Sequence, residues 1–244
     1  MKIAQQIRNK VDAYPQNMIF SASELGMGQK KRGAVIKTLN RMVGRGYLSK
    51  LKKGKFFKSR VTTLGTVPLS ADQMVRDLLV RNGEIIGYTT GYSAYNSMYL
   101  TTQISSSIQI GTNKYKRPLK RGAYSVSFVV QPNIITAENI EILRILDALR
   151  FIREIPGTTA DEACRRLIEV VKDLTPNKQE LLVSCALNYT SYVRALCGAI
   201  LQLIGGASDL VQALEESLNG QSRYKLPISE TVLPNKEYWK IYES

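Results

Sequence analysis

Gln29-Lys30-Lys31-Arg32 is a run suited to hydrogen bonding with flat, acceptor-rich edges. Gln bonds an adenine edge in a bidentate way, and Arg or Lys does the same with guanine. Lys37, Arg41 and Arg45 follow at seven, eleven and fifteen positions from Lys30. On a helix they make a basic stripe roughly opposite Val35, Leu39 and Met42. Lys50, Lys52, Lys53, Lys55 and Lys58 come next, close enough together to lie along a phosphate backbone or a minor groove. Lysine makes a point-charge contact and not a rigid fork, so these residues position more than they read. A further cluster holds Lys114, Lys116, Arg117, Lys120 and Arg121, with Tyr115 interleaved and Pro118 keeping it a loop. It suits a nucleic acid or an acidic partner. It is equally an ordinary charged loop between strands.

Other chemistries lack their residues. The chain has no histidine, which removes His-dependent triads, His-based zinc sites and His general bases. Cys164, Cys185 and Cys197 form no C-x-x-C pair and sit among apolar residues at helical spacing, so they read as small buried hydrophobes. No G-x-x-x-x-G-K is present, and Gly26-Met27-Gly28 has Lys31 where a third glycine belongs. Gly205-Gly206-Ala207-Ser208-Asp209 is faintly similar to a nucleotidyltransferase loop, but Asp209 lacks a D-x-D partner for Mg²⁺. A helix end followed by an N-cap explains it better. Asp161-Glu162 and Glu215-Glu216 read as solvated helix faces. The expectation is no catalytic residue, no metal site, no cofactor and no enzymatic activity.

The elements that must position the basic residues are legible in outline. Ile3, Ile7, Val11 and Tyr14 mark one helix face, which Pro15 ends. Ser21-Ala22-Ser23-Glu24 matches a capping box and predicts a short helix to Leu25 before Gly26 and Gly28. A longer helix starts near Gln29, buries Val35, Ile36, Leu39, Met42 and Val43, and closes at Gly44 and Gly46. Tyr47–Leu51 and Phe56–Lys58 flank a glycine turn and predict a hairpin. Residues 61–70 read as a linker. Then come a helix over Asp72–Arg81 and β-prone runs over Glu84–Thr89, Ser106–Gly111 and Ala123–Gln131, with a helix over Ser93–Leu100. Helical patterns follow, marked by Ile140–Leu149, Cys164–Leu174, Leu181–Leu187, Tyr192–Ile204 and Leu210–Leu218, ahead of an extended tail over Tyr224–Ser244.

Charge is unevenly spread over the 244 residues, a length suited to one or two domains. The net charge is +14, and residues 1–60 hold 15 Lys/Arg against only Asp12 and Glu24. The remainder holds 19 against 18. The longest apolar stretch, Ala195–Ala207, carries Gln202 and falls short of the roughly 20 residues of a membrane span. The N-terminus reaches charge too early for a signal peptide. No membrane partner and a reducing cytoplasmic location are expected.

Short helix, glycine turn, longer helix and basic hairpin is the order of a winged helix-turn-helix. The fold expected is α+β and mostly helical. It comprises a winged helix-turn-helix DNA-binding domain over 1–62 and a C-terminal domain over 66–244, with mixed strands and helices to about 133 and a helical bundle after. Val35–Leu48, Lys53-Gly54-Lys55-Phe56-Phe57, Gly91–Tyr95, Tyr99–Gln103, Leu146–Arg150 and Tyr192–Ala199 together resemble the AbiEi-type antitoxins of bacterial type IV toxin–antitoxin systems, in the transcriptional-regulator-like branch. The resemblance implies a repressor that binds double-stranded DNA in its own promoter region. It also implies that the C-terminal region counteracts a nucleotidyltransferase-like toxin, with direct binding not required. The alternative is a non-catalytic protein-interaction module whose basic clusters grip an acidic partner.

Overall fold

The computed structural model describes residues 3–63, 65–67, 69–81 and 83–243. Met1 and Lys2 of the N-terminal start, Leu64 and Pro68 of the 61–70 stretch, Asn82, and Ser244 at the end of the tail lie outside the described residues. The architecture is α+β. Two compact units divide it: Met1–Val80 with Lys120–Tyr124, and Arg81–Leu119 with Ser125–Ser244.

In the first unit, α1 (Ile3–Asp12) buries Ile7 and Val11 and leaves Ile3 exposed. β1 (Phe20–Ser21) follows, then a 3₁₀ turn (Gln29–Lys31) leading into α2 (Arg32–Gly44). β2 (Ser49–Lys52) and β3 (Lys55–Phe57) form the expected hairpin, and β1 adds to β3 antiparallel to give the order β1-β3-β2. Gly54 turns the hairpin at φ 78°, a left-handed value that a side chain rarely adopts. Ile7, Val11, Phe20, Leu25, Val35, Leu39, Leu48 and Phe56 form one buried cluster, so α1, α2 and the sheet share a core. Tyr14 stacks on Phe20 at 4.9 Å between ring centroids.

Residues 22–26 form turns and not the expected short helix. Only half of the capping box is made: the Ser21 N–H donates to the Glu24 carboxylate, while the Ser21 hydroxyl pairs with that of Ser23 at 2.8 Å. Gly26 at φ 62° and Gly28 at φ 76° then take the chain out of helical geometry before a second turn can form. The 61–70 stretch is also more ordered than a linker, since β4 (Arg60–Thr62) pairs with β5 (Gly65–Val67). α3 (Ala71–Leu79) opens on a full capping box between Ser70 and Gln73. The first unit thus takes in β4, β5 and α3, beyond the boundary at about 62–66 that composition suggests.

After β6 (Val80–Arg81) and β7 (Glu84–Ile85), β8 (Tyr88–Thr90), α4 (Tyr92–Ser97), β9 (Ser107–Thr112), β10 (Leu119–Arg121) and β11 (Tyr124–Val130) follow. β9 pairs antiparallel with β8 and parallel with β11. The helices are α5 (Ile140–Arg150), α6 (Ala160–Lys172), α7 (Pro176–Ala186), α8 (Ser191–Leu203) and α9 (Ser208–Glu216). α5 is buried from Ile145 to Leu149 without a break, which makes it the centre of the second core. Cys164, Cys185 and Cys197 are free and buried in that core. The tail supplies β12 (Tyr224–Lys225) and β13 (Ile241–Tyr242), paired in parallel, and seats Trp239 on α8. A Cβ at Gly198 would lie 2.2 Å from the Trp239 ring, so only glycine permits that approach. No helix among the described residues is long and apolar enough to cross a membrane.

Candidate nucleic-acid interface

Gln29, Lys30 and Lys31 occupy the 3₁₀ turn, Arg32 begins α2, and all four side chains are exposed. The first turn of α2 holds no acidic residue, and its N-cap, Lys31, makes no side-chain capping bond. The orphan N–H groups of a helix start and the positive end of its dipole favour an anion. Here three cations are added to that end.

Lys37 is exposed and nearly opposite the buried Val35 and Leu39. A four-residue step drifts round an α-helix by about 40°. Arg41 and then Arg45 therefore swing toward the flank of Thr38, and they line a cleft with half-buried Met42 instead of opposing it. The stripe expected from spacing is thus split between two surfaces.

On the hairpin, Lys50 and Lys53 are exposed and make no side-chain ion pair or hydrogen bond among the described residues. Lys52 lies 3.4 Å from Asp77 and Lys55 3.8 Å from Glu24, while Lys58 donates to the Asp12 carbonyl at 3.2 Å. A surface pair such as Lys55–Glu24 contributes about 0–1 kcal/mol, whereas Lys52 pairs with a mostly buried carboxylate. A phosphate can take Lys55 over at small cost.

The second basic cluster does not act as a single patch. Lys114, Lys116 and Arg117 belong to the second unit, and Lys120 and Arg121 to the first. Lys116 lies over the Phe128 ring at 5.5 Å. Arg121 is only 3% exposed and donates to both oxygens of Asp77, at 3.0 Å from Nη2, and to the Met74 carbonyl. It is a structural cation and not a surface contact. Burial raises the Asp77 carboxyl, but the hydrogen bonds and charge of Arg121, with Lys52 and Lys55, hold it below the usual carboxylate range.

Sequence reasoning passed over Arg8, which is exposed on α1 with its guanidinium 5.0 Å above the Tyr47 ring. It also passed over a polar network in the second unit. Asp147, fully buried on α5, accepts from the hydroxyls of Tyr88 at 2.6 Å, Thr90 at 2.9 Å and Tyr189 at 2.9 Å. Gln131 donates to both tyrosine oxygens. Burial holds the Asp147 carboxyl above its ordinary value, and the hydroxyl donors offset only part of that. An acidic residue inside the apolar run Ile145–Leu149 was the available signal.

The remaining carboxylates are engaged locally. Asp161 accepts from the Ser229 N–H and hydroxyl at 2.7 Å each, so it anchors the tail and is not merely solvated. Glu162 completes a capping box with Thr159, and Glu215 accepts from the Tyr238 hydroxyl at 2.5 Å. Gly205 at φ 74° closes α8, with the Gly206 N–H on the Leu201 carbonyl at 2.8 Å. Among the described residues no group of three or more His, Cys, Asp or Glu is placed to hold a metal ion.

The first unit carries 18 Lys/Arg against four Asp/Glu, and the second 16 against 16. All of the +14 therefore belongs to the first. No protein-family profile matches the chain, and no curated protein matches it either. Among solved structures it is similar to the crystal structure of RV2827C protein from Mycobacterium tuberculosis, at 15% identity over 89% of this chain and 82% of that one, with a TM-score of 0.48.

Proposed function

We propose that the chain is a DNA-binding transcriptional regulator whose first unit is a winged helix-turn-helix module. The observation that carries this reading is the whole +14 lying on that unit, with the uncapped, basic start of α2 at its surface. In this reading Gln29–Arg32 enter the major groove and the β2–β3 hairpin lies along the backbone as the wing. Lys55 exchanges a weak surface pair for a phosphate, and Lys50 and Lys53 need no exchange. Net charge argues for the class of partner, and the spacing of Gln29 to Arg32 for base reading.

The second unit is neutral, and its assignment rests on the resemblance to AbiEi-type antitoxins. In that reading the cytoplasmic protein represses its own promoter and counteracts a nucleotidyltransferase-like toxin, without itself being an enzyme.

A mobility shift with the chain's own upstream DNA, run at several salt concentrations, tests the first part. About six phosphate contacts give a slope of log K against log salt near −5. Binding that ignores salt, or no binding, overturns the reading. Changing Lys30, Lys31 and Arg32 to Ala should flatten discrimination between sequences, whereas changing Lys50 and Lys53 should weaken all duplexes alike. For the second part, co-expression with the nucleotidyltransferase-like product of a neighbouring gene should restore growth. Continued growth arrest rejects the antitoxin assignment.

A further inference from the structure

Gln5 and Arg8 from α1, Thr38 and Arg41 from α2, Arg45 at its C-cap and Tyr47 just beyond line a cleft of about 370 Å³. Three arginines line it, and no carboxylate does among the described residues. Asp12 instead accepts the Tyr47 hydroxyl, which fixes the ring over which Arg8 lies. Arg8 is thereby held in place. Arg41 and Arg45, four residues apart on one helix face, make no side-chain hydrogen bond, ion pair or ring contact among the described residues. Like charges at that spacing repel, and Arg8 adds a third. The neutral lining groups do little to relieve this, because Gln5 donates to Asn9 and Thr38 to the Ala34 carbonyl. What the cleft lacks is an anion. Planar guanidinium forks fit the oxygens of a phosphate in a bidentate way. The site is also separate from the start of α2, since the roughly nine residues between Arg32 and Arg41 put it about 14 Å further along the helix axis.

We infer that Arg8, Arg41 and Arg45 form a phosphate site, occupied by the phosphate of a small phosphorylated molecule or of a DNA backbone. The first case is independent of the DNA-binding reading, and the second deepens it.

Isothermal titration of the full chain with inorganic phosphate and with 5′-AMP, at ionic strength held constant with sodium chloride, tests the first source. Saturable binding and a thermal midpoint raised by several degrees are expected. The double variant R41Q/R45Q should bind at least about tenfold more weakly, as one lost charge-assisted contact already gives. Both side chains are exposed, so the variant should fold, which circular dichroism checks; R8Q provides an independent second variant. Duplex DNA tests the other source: there R41Q/R45Q should lower the salt slope by about two. Phosphate binding with unchanged duplex affinity assigns the site to a free ligand, and a lowered slope assigns it to the backbone. No difference between phosphate and chloride, together with an unchanged slope, overturns the inference, as does a double variant that matches the wild type in both phosphate binding and salt slope. The variant K30A/K31A/R32A should lose sequence discrimination and retain phosphate binding, which keeps failure of this site distinct from failure of the DNA reading.

Discussion

Asp77 and Asp147 are both withdrawn from solvent, and they shift in opposite directions because their neighbours outweigh burial at the first and not at the second. Asp77 faces the Arg121 guanidinium and is held low, whereas Asp147 is pushed up by burial that its hydroxyl donors and the charge of Arg150 only partly offset. For Asp77 the folded chain releases its proton more readily than the unfolded one, so its contribution is present above a pH of about 4 and is lost as pH falls below that. For Asp147 the folded chain holds the proton longer, so stability falls as pH rises from about 4. Urea unfolding of wild type, D77N and D147N between pH 3 and pH 7 checks both signs. The advantage of wild type over D77N should grow with pH, and that over D147N should shrink, at up to about 1.4 kcal/mol per pH unit. The opposite trend at either residue rejects the account given for it. D77N should also destabilise the chain at neutral pH, by about 3–5 kcal/mol, because it strands the buried Arg121 cation. Neither environment was legible in the sequence. Five cations in eight positions give no mark of which one turns inward, and Arg121 does so because Asp77 lies 44 residues away. Asp147 at least stood out as an acid in an apolar run, but its donors come from β8 and from the connection between α7 and α8.

Elements fared better where their burial was one-sided or complete over several turns. α5, α6 and α8 were evident from apolar spacing, because each packs a long face on the same core and local pattern agrees with tertiary need. The segment 22–26 carried a capping signature yet made no helix, since two left-handed glycines follow too soon. β4 and β5 were hidden in Thr- and Gly-rich sequence, because a two-stranded ribbon with mostly exposed residues shows no hydrophobic alternation. α8 offers the sharpest test at this scale. Gly198→Ala would drive a methyl group into the Trp239 ring, and overpacking of this kind costs about 1–3 kcal/mol. The midpoint of thermal unfolding should fall accordingly, whereas Gly44→Ala, with open space around it, should not lower it comparably. Equal effects at the two glycines would mean that the tail does not hold Trp239 against α8.

At the scale of the whole molecule, charge and chemistry are divided between units. One bears the entire +14; the other balances 16 Lys/Arg against 16 Asp/Glu and holds a buried polar network around Asp147. High salt should therefore weaken what the first unit binds and leave the second unit's stability nearly unchanged. The chain has a single tryptophan, and it is the residue buried against Gly198. Its indole N–H donates to the Gln202 side chain at 2.8 Å, so its emission depends on α8 and the tail staying together. Tryptophan emission, excited at wavelengths where tyrosine does not absorb, thus reports on the second unit alone with no label attached, while circular dichroism sees both. Titrated with DNA or phosphate, that one indole would reveal whether an occupied basic unit is sensed by its neutral neighbour.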